Sequence, residues 1–273
     1  MTAASSTFSA HHAEDYESMM GRWSRRLAPA FIDFAGIPPD ARILDLGCGT
    51  GVLAEALSGA VPRARIVGVD LSGPYVEMAR SRLGGAAEFR VDDACDLDLP
   101  DGSFDHVLSL LMLHFVPDPA RAVAEMRRVC RAGGVVAAAV WDASGGYVVN
   151  RIFFDTAAMV DPDAEARRAR NYARPMTRPG ELEAAWHRAG LLDVQATQLL
   201  IRMEFSQFDD WWQPFLGREG PIAEYVGGLD DTTRRTLEAA LRRAYLAGQP
   251  DGPRSYAAVA WAVRGRVPPV PAG

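Results

Sequence analysis

A mostly parallel α/β sheet is the fold class that three features of this sequence predict. Two short apolar runs, Ile43-Leu44-Asp45-Leu46 and Ile66-Val67-Gly68-Val69-Asp70, each carry an acid at or near their end and are separated by a helical stretch. After the first run, Gly47-Cys48-Gly49-Thr50-Gly51 marks a tight turn where a buried strand opens into a helix. Strand and helix patterns then keep alternating to about residue 140, which implies parallel strands with right-handed crossovers.

Before the first strand, residues 1–10 are small and polar and read as loose. From Ala13 to Gly36, Tyr16, Met19, Met20, Trp23, Leu27, Phe31 and Phe34 recur at three- and four-residue steps. They mark an amphipathic helical stretch, expected to be interrupted near Pro29. Strand one, Ile43–Leu46, leads into the glycine turn. Lacking a Cβ, residues 47, 49 and 51 let the backbone take left-handed angles and let a ligand approach the main chain. The helix from about Val52 aims free N–H groups and a partial positive charge at the same place. A dinucleotide fingerprint would need glycine at position 52, which is valine, and a phosphate-cradling loop would need Gly-Lys-Ser/Thr; neither is present.

Strand two ends at Asp70, 19 residues beyond Gly51, where a carboxylate can accept two hydrogen bonds from a ribose diol. Ser72 and Pro74 start the next helix, to Leu83. Strand three is Ala87–Val91, followed by Asp92-Asp93-Ala94. Strand four is Phe104–Leu111. Asp118 caps a helix expected to reach about Arg131 and to stop at Gly133 and Gly134. Strand five is Val135–Val140, apolar enough to be covered on both faces. Beyond it lie an Arg- and aromatic-rich insertion at 143–176, a helix from Pro179 to Ala189 and strand six at Leu192–Phe205. A second helical insertion at 206–254 and a closing strand at Ser255–Val263 follow, with a Pro-rich tail from Pro268.

The Asp45-x-Gly47-x-Gly49-x-Gly51 turn resembles motif I of the class I S-adenosylmethionine-dependent methyltransferases. From Ala41 to Asp142 the chain is similar to the group that includes the ubiquinone and menaquinone biosynthesis enzymes (methyltransferase type 11/25). The resemblance implies a Rossmann-like seven-stranded, mostly parallel sheet with helices on both faces and helical cap insertions after strands five and six. It divides the chain into an N-terminal helical lid (1–36), a core at 37–142 continued at 177–205 and 255–267, two caps (143–176 and 206–254) and the tail. It also implies S-adenosyl-L-methionine as cofactor and S-adenosyl-L-homocysteine as product. The turn residues Asp45, Gly47, Cys48, Gly49 and Gly51 would lie at its methionine part, Asp70 at the ribose, and Asp93 and Ala94 at the adenine, with Leu71 and Leu110 also among the cofactor-binding residues. Counting back from the Asp101-to-Asp105 turn puts Asp93 at the adenine and leaves Asp92 as a solvated turn residue. Tyr16 and Trp23 lie where a lid would close over the cofactor.

Methyl transfer is an in-line displacement at a sulfonium, so positioning and exclusion of water carry most of the work, and a base is needed only for a protonated acceptor. His11, His12, His114 and His187 are the histidines considered. His114, just after strand four, is the candidate base, although a histidine in an apolar run is commonly a packed one. His187 lies on a surface helix. The arginines at 167–174 are either a solvated helix face or a counter-charge for an acidic acceptor such as a carboxylate. The insertions' aromatics either roof a pocket for a planar or lipophilic molecule or form the core of the caps.

At 273 residues, with 48% hydrophobic and 23% charged residues, the chain can bury a substantial core. A net charge of −6 argues against a sequence-blind nucleic-acid binder. Three scattered cysteines, Cys48, Cys95 and Cys130, suit neither a disulfide framework nor a structural zinc site, and no segment reads as a signal peptide or membrane span. The expectation is a cytoplasmic small-molecule methyltransferase, monomer or homodimer, without metal, membrane or nucleic-acid partner. The alternatives are a protein of the same fold that catalyses cyclisation or decarboxylation, or one that senses the cofactor.

Overall fold

The computed structural model describes residues 6–8 and 11–269. Most of the start expected to be loose, and the tail after Pro269, lie outside these residues. Seven strands form one sheet in the order β3-β2-β1-β4-β5-β7-β6. They are β1 (Arg42–Leu46), β2 (Arg65–Asp70), β3 (Glu88–Val91), β4 (Phe104–Leu110), β5 (Cys130–Trp141), β6 (Leu192–Phe205) and β7 (Arg254–Arg266). The first five pair in parallel, while β7 lies antiparallel between β5 and β6.

Eleven α-helices among the described residues surround or extend this sheet. In chain order they are α1 (Ala13–Tyr16), α2 (Arg22–Ala35), α3 (Val52–Ala60), α4 (Gly73–Leu83), α5 (Pro119–Val129), α6 (Val148–Val160), α7 (Ala164–Tyr172), α8 (Glu181–Arg188), α9 (Phe208–Trp212), α10 (Gly220–Gly227) and α11 (Asp231–Leu246). One face of the sheet is covered by α5 and α8, anchored by Met126 and Trp186, whose indole N–H donates to the Val136 carbonyl at 2.9 Å. The other face carries α2, α3, α4 and the cap helices α6, α9 and α11. Both sides of β5 are therefore dry, and its Val136–Val140 stretch is fully buried. Asp118 caps α5 as expected, its carboxylate accepting from the Arg121 N–H at 3.1 Å, and the Ser72 hydroxyl accepts from the Tyr75 N–H at the start of α4.

Two expectations are corrected. No break occurs at Pro29, which lies inside α2; the irregularity is a π-helical turn at Glu17–Gly21, where the wider spiral changes which residues share a face. Gly133 and Gly134 do not end α5, which stops at Val129. They lie within β5, where the register jumps from Phe104↔Cys130 to His106↔Val135. Gly133 has φ +73°, and a Cβ on Gly134 would stand 2.7 Å from the Asp105 carbonyl oxygen, so a bulge rather than a helix end requires glycine here. Among the described residues no helix is long and apolar enough to cross a membrane.

Candidate functional site

The strand order reverses at β1, between β2 and β4, and the chain folds its chemistry-bearing loops at the carboxyl ends of these strands, as open α/β sheets do. The turn after β1 is held by its own main chain: the Gly47 and Cys48 N–H groups both donate to the Val69 carbonyl, at 2.8 and 2.9 Å. Its three glycines do different work. Gly47 has φ +74°, and a Cβ there would lie 2.3 Å from Met112 Cγ, so the loops after β1 and β4 can touch only across a bare Cα. Gly51, φ +85°, packs against Ala79 and Leu83 of α4, away from the cleft. Gly49, φ +54°, faces open space, with Tyr16 as nearest neighbour at 4.0 Å from an ideal Cβ.

Around Gly49 opens a cleft of about 430 Å³. It gathers Tyr16, Gly47, Gly49, Asp70 and Leu71 at one end and Asp93, Ala94 and Leu110 further along. The Asp70 carboxylate accepts from the Gly49 N–H on one oxygen and from the Ser72 N–H on the other, both at 2.9 Å. Each oxygen keeps a further lone pair for a ligand hydroxyl. Burial raises the Asp70 pKa, while these backbone donors oppose the rise. Leu71, 48% exposed, offers apolar surface at the rim. Asp92, half-buried, borders the cleft beside Asp93, and its two oxygens accept from the Asp93 and Asp98 N–H groups, bracing the loop. One Asp93 oxygen accepts from the Cys95 N–H at 2.9 Å.

Asp45 and Cys48 sit beneath the turn, beside a smaller cavity shared with Tyr16, Gly49 and Leu110. Asp45 is 1% exposed, and among the described residues neither carboxylate oxygen has a well-formed hydrogen-bond partner, the Ala54 backbone only partly offsetting the burial of its charge. Burial, reinforced by the Asp70 charge, pushes its pKa up to about 7. A buried carboxylate left in this state invites a cation.

A second chamber, of about 110 Å³, adjoins the first and shares Phe8, Tyr16, Leu111 and Phe115 with it. Its walls come from α2, the end of β5 and the caps, and are largely aromatic; Trp141 and Tyr147 stack at 5.0 Å. Leu111, at this junction, has φ +64°, a strained angle for a bulky side chain, held by its N–H donating to the Ala139 carbonyl. His114 and Trp23 line the second chamber and not the first. Burial, then the nearby Arg174, lowers the His114 pKa well below its ordinary value, so the ring is neutral and its Nδ1 is without a partner. Trp23 packs edge-on against Phe205 at 5.2 Å. The N-terminal stretch thus divides: Tyr16 covers the glycine turn, whereas Trp23, Leu27 and Phe31 belong to packing around the second chamber and the core.

Several residues that the sequence did not single out fasten this cover. Glu17 accepts from the Thr50 hydroxyl of the turn and pairs with Arg82 of α4 at 2.8 Å. Glu219, 1% exposed, accepts from the His11 and His12 N–H groups and from the Tyr75 hydroxyl, the last at 2.9 Å. It thereby ties the N terminus, α4 and the second insertion together. No local signal marks Glu219, since its partners lie 144 or more residues away in sequence. His187 is exposed on α8.

Sheet order, glycine turn and cleft together define a Rossmann-like α/β fold with a ligand cleft at the carboxyl ends of its strands. Residues 44–138 match the family model described as a methyltransferase domain. The chain is 32% identical over 219 residues to an uncharacterised 37.1 kDa protein in transposon TN4556 of Streptomyces fradiae, an alignment covering 79% of this chain and 58% of that protein. It spans about half to three fifths of the length of other curated relatives. The YcgJ protein of Bacillus subtilis superposes with a TM-score of 0.59 at 22% identity, covering 91% of this chain and 100% of that one. Phosphoethanolamine N-methyltransferase 2 of Haemonchus contortus, solved with phosphomonomethylethanolamine and S-adenosylhomocysteine, gives a TM-score of 0.58 at 16% identity, covering 94% of this chain and 57% of that one. At such identities the likeness shows the fold.

The residues present fit S-adenosylmethionine. Asp45, a buried carboxylate without a well-formed hydrogen bond among the described residues, suits the ammonium of its amino-acid part. Asp70 has spare acceptor capacity for a diol, and the lone open glycine, Gly49, leaves room over the turn. No phosphate-binding loop is needed for such a ligand.

Proposed function

We propose that this chain is an S-adenosylmethionine-dependent methyltransferase acting on a small molecule. The observation that carries the proposal is the pair of adjoining chambers, one fitted to the cofactor and the other aromatic, sharing Phe8, Tyr16, Leu111 and Phe115. Bound in the first chamber, the cofactor supplies an electrophilic methyl group on a sulfonium.

The protein's own part is to bind, orient and keep dry. Asp45 holds an ammonium, Asp70 a ribose diol, and Asp93 with Ala94 an adenine edge, with Leu71 and Leu110 flanking it. Cys48 supplies turn backbone, and Gly47 and Gly51 fix the turn's shape. Tyr16 stays protonated, because burial and then the Asp70 charge disfavour its phenolate, and so closes the junction as a neutral group. His114 is uncharged, and the burial and Arg174 charge that keep it so make it a weak base, which favours an acceptor that arrives already deprotonated. The N-terminal cover, fastened through Glu17 and Glu219, excludes water.

Incubating the protein with S-adenosylmethionine and a panel of phenols, amines and carboxylates, and measuring S-adenosylhomocysteine, tests the proposal. Acceptor-dependent release supports it. Tight binding of the cofactor with no release across the panel would turn the assignment toward a non-methylating reaction or a sensor.

A further inference from the structure

We infer that the acceptor is an acid: a small molecule with an apolar, ring-sized body whose oxyanion pairs with Arg174 in the second chamber. The inference rests on the methyltransferase proposal and names the substrate class of the same site.

The structure separates the four arginines at 167–174 of the first insertion, whose fifth, Arg151, pairs with Asp155 at 3.0 Å. Arg167 lies 3.8 Å from Glu224 and over the Tyr225 ring; Arg168 pairs with Glu165 and Asp155, at 2.9 and 3.2 Å; Arg170 is exposed. Arg174 alone of the four lines the aromatic chamber, and no carboxylate among the described residues pairs with it. Its guanidinium sits 4.5 Å from the centroid of Phe115, a ring that borders both chambers. Burial lowers its pKa to about 10, so it remains charged near neutral pH. A partly desolvated cation without a counter-ion is costly, and a planar fork of donors is matched by a carboxylate or phosphate.

The surroundings point the same way. Half of the twelve buried polar atoms without a partner among the described residues belong to side chains lining this chamber. They include the ring N–H donors of Trp141 and Trp211 and Nε of Arg22. Asn150 and Asn171 contribute one atom each, and His114 contributes Nδ1. Donors outnumber acceptors, which favours an oxygen-rich ligand over an amine. The neutral His114 beside Arg174 adds no second positive charge and leaves the guanidinium to hold the oxyanion.

The test titrates matched aromatic acids, their carboxamides, their amines and an aryl phosphate into protein saturated with S-adenosylhomocysteine. Wild type, Arg174→Gln and Arg174→Lys are compared by calorimetry and thermal shift. At least one acid should bind roughly tenfold or more tightly than its amide. That preference should vanish in Arg174→Gln and return in part in Arg174→Lys, while S-adenosylhomocysteine affinity stays unchanged in all three. The aryl phosphate arm distinguishes a phosphate-bearing acceptor from a carboxylate one. A panel in which no acid outbinds its amide, or in which Arg174→Gln keeps the preference, overturns the inference. Loss of S-adenosylhomocysteine binding by the wild type would instead sink the underlying methyltransferase proposal.

Discussion

The two adjoining chambers are built in opposite ways. The cleft over the glycine turn is made mostly of main chain and side chains at the ends of β1 to β4, from Leu46 to Val116, covered by Phe8, His11 and Tyr16 and held by backbone hydrogen bonds such as those from Gly47 and Cys48 to Val69. The aromatic chamber is made of side chains brought from α2, the β4 and β5 ends and both insertions, and its polar atoms are largely left over for a ligand. A backbone-built site tolerates little change of shape, and a side-chain-built one can be re-lined. One half of the molecule is thus suited to a constant ligand and the other to a particular acceptor.

The largest effect should come from altering the backbone-built half. In Gly47→Ala the new Cβ would meet Met112 at a residue with φ +74°. Left-handed strain of about 1–2 kcal/mol adds to overpacking of about 1–3 kcal/mol. Gly145→Ala, before α6, meets nothing within 4 Å and should be nearly silent. Equal stability of the two variants in urea would break the contrast.

Next comes the fastening between the halves. Glu219→Ala leaves the His11 and His12 N–H groups and the Tyr75 hydroxyl without their buried acceptor. It should weaken S-adenosylhomocysteine binding by about 2–3 kcal/mol and speed amide exchange over residues 11–21 without melting the sheet. Unchanged exchange there would mean that the cover does not depend on this residue.

A smaller, pH-dependent effect sharpens the account of the cleft. Asp45 titrates near 7 when folded, against about 3.9 in an unfolded chain. Folding therefore takes up a proton between these values, and the stability of the free protein falls as pH rises through that window. A ligand ammonium favours the charged form, so binding expels the proton. S-adenosylhomocysteine affinity should rise by up to about tenfold per pH unit below 7 and level off above it. Asp45→Asn should flatten the profile, and a flat profile in the wild type would remove Asp45 from the ammonium site.

The same contrast explains what the sequence disclosed. Asp45, the glycines and Asp70 were legible because strand ends and tight turns are local, and their roles follow from backbone geometry. Gly133 and Gly134 misled because a helix end and a strand bulge make the same demand for glycine; only the pairing of β4 with β5 decides. Tyr16 and Trp23, seven residues apart with a π turn between them, both line the aromatic chamber, and only Tyr16 also reaches the cleft over the glycine turn. Glu165, one turn before Arg168, is a local sign that Arg168 is paired, but Glu224 beside Arg167 and Asp155 beside Arg168 are placed by tertiary packing, and nothing local marks Arg174 as the one lining the chamber without an acid among the described residues.

Calorimetric titration of S-adenosylhomocysteine into wild type, Asp70→Ala and Arg174→Gln tests the division of labour most directly, with thermal melts confirming that each variant is folded. The account predicts a loss of about 2–4 kcal/mol for Asp70→Ala, the range for two hydrogen bonds to a charged group, and no loss for Arg174→Gln. A folded Asp70→Ala that binds as tightly as the wild type would contradict it.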